Sequence, residues 1–208
     1  MIRNGSIYLK NSFLFKKRNI SLFWKQDVLL FLFYGLFLFL FKLFNYLQSV
    51  IRYYDAIESP GGQSVDTQPM LISLVSLIKL AVGVFLVGVV FIVIVMTIFY
   101  WYKIFKIFLD DIYLKKRMGI HFKKISAEFL LFDYLFNLLL GVLSIPLSSI
   151  LARNIISFGA WLLPLEEIVT TPVNLSLSLD IMAIFLVVSC YQVINCIDLF
   201  ILSKKVLI

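Results

Sequence analysis

Residues 110–133 read DDIYLKKRMGIHFKKISAEFLLFD, and how this stretch is taken decides the fold. Five Lys or Arg side chains fall between Lys115 and Lys124, while the apolar positions Ile112, Leu114, Met118, Phe122 and Ile125 recur every two to four residues. That spacing predicts a short amphipathic helix with one face suited to another surface. The stretch then runs without a break into a long apolar segment. A basic helix joined to two membrane spans is what a membrane protein needs to pass motion to or from a soluble partner.

Outward from this stretch the chain is greasy. Of its 208 residues 62% are hydrophobic and 15% charged, and the mean hydropathy is +0.99. Soluble domains sit nearer half apolar and a quarter charged, so the composition defines an integral membrane protein. Four apolar stretches are long enough to span. The expected fold is an all-α membrane protein of four transmembrane helices in a single domain. Its parts are an amphipathic leader (1–26), spans at 28–49, 70–102, 129–152 and 181–202, outer loops at 50–69 and 153–179, and a cytosolic segment at 103–126.

The net charge of +7 does not point to nucleic acid, because its distribution follows the membrane. Six Lys or Arg precede the first span, seven lie between Lys103 and Lys124, and Lys204 and Lys205 stand near the chain's end. The other two loops carry only Arg52 and Arg153, outnumbered by Asp55, Glu58, Asp66, Glu166 and Glu167. This is the positive-inside pattern. It places both termini and the central segment in the cytosol, with the basic surface on anionic lipid headgroups.

Residues 1–26 mix basic side chains with Leu9, Phe13, Ile20, Phe23 and Trp24, which predicts an interfacial helix; the alternative is an unstructured basic leader. No cleaved signal peptide is expected, since no small-x-small site follows the apolar run. Lys42 interrupts the first span and is expected to snorkel to the outer interface. Lys79 divides the second hydrophobic stretch, leaving 70–79 as a stalk, and Tyr100, Trp101 and Tyr102 form an aromatic belt. Pro146 should kink the third span and free a carbonyl for Ser148, Ser149 or a neighbour to meet. Cys190 and Cys196 are about 9 Å apart along one helix, too far to bridge, and read as apolar packing.

Polar residues inside spans three and four mark the intramembrane feature of interest. Asp133 and Asn137 share one helix face, and Gln192, Asn195 and Asp198 lie within a third of the circumference of another. If the two spans are neighbours, these faces meet at one depth. Two readings stand: helix–helix glue, or a water-lined seam that moves. Enzyme signals are poor. His121 is the single histidine, and no Walker A loop, dinucleotide fingerprint or GxSxG occurs, so no catalytic residue, metal site or cofactor is assigned to this chain.

The central stretch resembles the signature of FtsX/MacB-like ABC permeases, E-I-x-x-L-r-a-x-G. Asp111, Ile112, Leu114 (one residue early), Lys116, Arg117 and Gly119 match it in kind, and Asp133 falls near that family's Glu in span three. The order of leader, span, outer segment and three further spans agrees as well. The chain departs from the family in having GVLSIPLSS where a Gly-rich segment is usual and a short loop where a large outer domain is usual. The resemblance implies a coupling helix docking on a separate ABC ATPase subunit, which holds the ATP and Mg. Asp111, Ile112, Leu114, Arg117, Met118, Gly119, Ile120, His121 and Phe122 would line that contact. It further implies a second permease copy, identical or larger, in the membrane. The leading functional reading is a non-catalytic permease subunit of an exporter of a peptide or lipid-like substrate. The alternatives are a mechanotransmitting or regulatory subunit, or a small immunity or stress membrane protein with no ATPase.

Overall fold

The computed structural model describes the backbone of residues 20–57, 68–119, 122–162 and 177–206, and most side chains within 24–54, 70–102, 117–119, 130–159 and 177–197. Four helices make up the described chain: α1 (Ile20–Ile57), α2 (Gln68–Arg117), α3 (Phe122–Leu162) and α4 (Leu177–Val206). Each contains a stretch long and apolar enough to cross a membrane: Asp27–Tyr54, Ile72–Met96, Asp133–Gly159 and Leu177–Ile197. The chain is an all-helical multi-pass membrane protein. The expected leader helix falls largely on residues 1–19, outside those described.

Lengths follow from long apolar runs, of which α3 alone among the described helices carries a proline past its first turn. In α2 no Pro follows Pro69, which sits in the first turn where its missing N–H is tolerated, and the helix continues for 50 residues, about 75 Å. The hydrocarbon core is about 30 Å thick. So α2 runs on for about 30 Å past its apolar span to a turn at Met118 and Gly119.

α1 and α4 occupy one diagonal of the bundle, α2 and α3 the other. α1 therefore packs on both α2 and α3, and α4 closes the ring on the far side. α1 is the most buried span at 39% and α2 the least at 17%, so α2 turns most of its surface outward. The main core draws Leu30, Tyr34, Phe37 and Leu38 from α1, Val89 and Val93 from α2, Ile145 from α3, and Ile184 and Val188 from α4. A second cluster joins Leu47 and Val50 of α1 to Val75 and Val82 of α2. The α2 positions Val75, Val82 and Val89 recur every seven residues, a coiled-coil seam.

On α3 the buried face carries four small residues, Gly141, Ser144, Ser148 and Ala152, beside Asn137, Ile145 and Ile156. Small residues let helix backbones approach where lipid gives no hydrophobic drive for association. At Gly141 the approach is tightest, because a Cβ there would stand 2.5 Å from Ile184 Cγ2. α3 passes through Pro146 as one helix. Ser148 and Ser149 both donate their hydroxyls to the carbonyl of Ile145, at 2.8 Å each, rather than to that of Val142, the carbonyl the proline leaves without its i+4 donor.

Candidate functional site: two polar layers in the bundle

The first layer is built on Lys42. Its position on α1 faces the bundle interior, where it is 3% exposed, rather than the interface that snorkelling required. The reason is a complete set of acceptors. An ammonium has three N–H donors and no acceptor. Lys42 Nζ meets Asp180 Oδ2 at 3.0 Å, Ser148 Oγ at 3.0 Å and Ser149 Oγ at 2.6 Å. Since both serine protons are committed to Ile145, their lone pairs are turned to the lysine. Asp180, 4% exposed, lies in the first turn of α4, where the helix dipole favours a carboxylate. Three helices are thus tied by one charge-neutral cluster.

A second lysine is handled differently. Lys79 of α2 donates to Gln48 Oε1 of α1 and stands 5.2 Å over the Phe44 ring. This fastens α2 to α1 close to Gly83, where a Cβ would stand 3.4 Å from that same ring, an ordinary contact.

The second layer lies about 12 Å along α1 from the first, at Tyr34. Asp133 Oδ2 accepts from Asn137 Nδ2 at 3.0 Å within α3 and from Asn195 Nδ2 of α4 at 3.3 Å. Gln192 Nε2 donates to the Leu130 carbonyl at 2.8 Å, a second α4-to-α3 bond. Asn137 and Asn195 are 1% and 0% exposed. The structure therefore brings together Asp133, Asn137 and Asn195, with Gln192 alongside; the Asp198 side chain lies outside those described. It adds Tyr34 of α1 and Tyr191 of α4, both buried among the same spans. Tyrosines in apolar runs carry no polar label in a hydropathy reading, so the residue pattern did not single them out. The legible signal was spacing: Tyr191 precedes Asn195 by one helical turn.

At the far end of α2 the central stretch takes a shape other than one amphipathic helix. Its basic run ends α2 at Arg117, Met118 and Gly119 form a turn, and α3 begins at Phe122. Gly119 has φ +78°, a left-handed conformation that a side chain disfavours, and it stops the helix in the way helices commonly end. Arg117, Met118 and Gly119 are exposed. Asp111, Ile112 and Leu114 lie on the last turns of α2 and Phe122 opens α3, with side chains outside the described set; Ile120 and His121 lie outside the described residues altogether.

Cys190 and Cys196 are free thiols on the outward face of α4, not packed within the bundle. Cys190 and Tyr191 border an apolar groove between α2 and α4 of about 440 Å³, floored by Phe37 and Phe41 of α1. Among the described residues no group of three or more His, Cys, Asp or Glu is placed to hold a metal ion.

Fold and layers define the class, an all-α multi-pass membrane protein with two polar layers inside its bundle. Compared with protein-family models, with curated proteins and with solved structures, the chain matches none at a significant level.

Proposed function

We propose that the chain is the transmembrane subunit of an FtsX/MacB-like ABC transporter, coupling ATP hydrolysis in a separate subunit to extraction or export of a peptide or lipid-like substrate. In this reading the Gly119 turn and both termini face the cytosol of a bacterial plasma membrane, as the lysine and arginine distribution favours. The observation that carries the reading is α2 itself. It is unbroken from Gln68 to Arg117 and ends at the exposed Arg117, Met118 and Gly119.

A tip of this kind suits a groove on a partner, with Met118, 63% exposed, as an apolar contact. Two helices joined at a turn transmit displacement because neither has a hinge between tip and span. ATP-driven closure of paired ATPase subunits would move the tip, and α2 and α3 would carry the motion to the opposite end. The groove between α2 and α4 is almost wholly apolar in its lining, which favours an acyl chain or greasy peptide over a polar solute.

The test is co-purification of the tagged chain in mild detergent with every associated subunit identified. A stoichiometric ATP-binding-cassette subunit, lost together with stimulated ATPase activity in Gly119→Glu, is expected. An intact, monodisperse protein with no such subunit would remove the coupling argument and leave the immunity or regulatory alternatives.

A further inference from the structure

The groove between α2 and α4 separates two apolar stripes. On α4, Leu179, Ala183, Leu186 and Cys190 fall at i, i+4, i+7 and i+11 and so share one face. Opposite them, Leu86, Val90 and Val93 of α2 repeat the same spacing. The short side chains of Ala183 and Cys190 leave a space of about 440 Å³ between the stripes, floored by the stacked rings of Phe37 and Phe41. Every residue that lines it lies within a membrane span, and none is charged. The groove therefore opens sideways to lipid rather than endways to water.

We propose that this groove is a binding site for one acyl chain of a membrane lipid. Its dimensions select that occupant. From Leu179 to Tyr191 it runs about 18 Å along α4, against about 15 Å for the acyl layer of one leaflet. Spread over that length, its volume gives a mean cross-section of about 24 Å², the calibre of a single extended hydrocarbon chain. A helix about 10–12 Å across needs about 80–110 Å², so a span from a second copy would only ride over the rim. Position selects a leaflet as well. Leu179 stands two residues inside the start of the α4 span at Leu177, whereas Tyr191 is six residues short of its end at Ile197. The head group thus lies beside the start of α4, and the tail reaches inward to Cys190 and Tyr191. Lipid tails are as apolar as the groove, so the chain is retained by packing contact on three sides and not by the hydrophobic effect. The inference goes beyond the transport reading, because it holds with or without an ATPase at the Gly119 tip.

The test uses the full chain alone in phosphatidylcholine vesicles, with a trace of phosphatidylcholine carrying a diazirine in one acyl chain. After irradiation, adducts are mapped by mass spectrometry. Labelling of Met182, Leu186 and Cys190 should exceed several-fold that of Leu143 and Ile150, which are comparably exposed on α3. Equal labelling of the two faces would overturn the site, since it describes bulk lipid passing over both. Ala183→Phe fills the groove from within and should cut the adducts on Met182 and Leu186 several-fold while leaving those on α3 unchanged. Cys190→Phe blocks the inner end from an exposed position and gives the same expectation where the first variant folds poorly. Undiminished groove labelling in both variants would overturn the inference. Copper-phenanthroline oxidation of the Cys196→Ser chain in the same vesicles checks the other occupant. Monomer is expected, and a Cys190-linked dimer in high yield would overturn the lipid in favour of a second copy.

Discussion

Lys42 shows how the membrane changes the meaning of one residue. In water its ammonium would be an ordinary surface charge; inside the bundle it is bearable because every donor is met. Lys42→Met removes the cation and leaves Asp180 buried with its charge unpaired. A loss of about 3–5 kcal/mol is expected in reversible unfolding in detergent. Replacing both partners, Lys42→Met with Asp180→Leu, should return most of it, because a well-packed apolar pair is close to neutral against a buried ion pair. A double variant no better than Lys42→Met would mean that the serines, not the carboxylate, carry the lysine. The sequence displayed Lys42 but not its direction. Interface and interior are both open to a lysine ten or more residues into a span, and the choice rested on Asp180, which stands 138 positions later (180 − 42).

Between elements, α3 meets α4 tightly at Gly141. Gly141→Ala places a methyl 2.5 Å from Ile184 Cγ2, a branched group with no room to rotate away, so the helices must separate. Destabilisation of about 1–3 kcal/mol is expected, the usual range for overpacking. Ile184→Ala in the same chain should recover part of the loss, which thermal denaturation of the two variants measures. The spans themselves were legible, because four long apolar runs leave little choice of element. The polar face of α3 was legible too, since Asp133 and Asn137 lie one turn apart and meet Asn195 as their spacing suggested. The central stretch was harder. Its apolar and basic residues satisfy helical periodicity on both sides of Gly119, and periodicity is blind to a turn whose only mark is one glycine. At that glycine Gly119→Ala costs about 1 kcal/mol from the left-handed backbone alone. Gly119→Glu should cost the same in stability and differ only in loss of partner binding.

At the scale of the whole molecule, the basic residues forecast which ends of the bundle share a side of the membrane. Single cysteines at Met118 and at Tyr53, in a chain with Cys190→Ser and Cys196→Ser, test this with an impermeant thiol reagent on intact cells. Tyr53→Cys should react at once and Met118→Cys only after permeabilisation. The reverse pattern would turn the bundle over and set the Gly119 tip outside. The diagonal placement of α2 and α3 was not readable beforehand, because helices of similar apolarity carry little to say which neighbours they choose. It emerged from Gly141, Ser148 and Lys42, which fix α3 against α4 and α1.

The Lys42–Asp180 pair also constrains how the protein is made. Synthesis delivers α1 to the membrane while Asp180 is still to be translated, so the first span must wait with an unmatched cation. Held at the translocon or lying shallow at the headgroups, it settles only when the last helix arrives. A chain stopped after Leu162 should therefore be degraded quickly, and supplying residues 163–208 as a separate polypeptide should extend its lifetime. The buried bond that fixes the first span is thus completed only by a residue made 138 positions later.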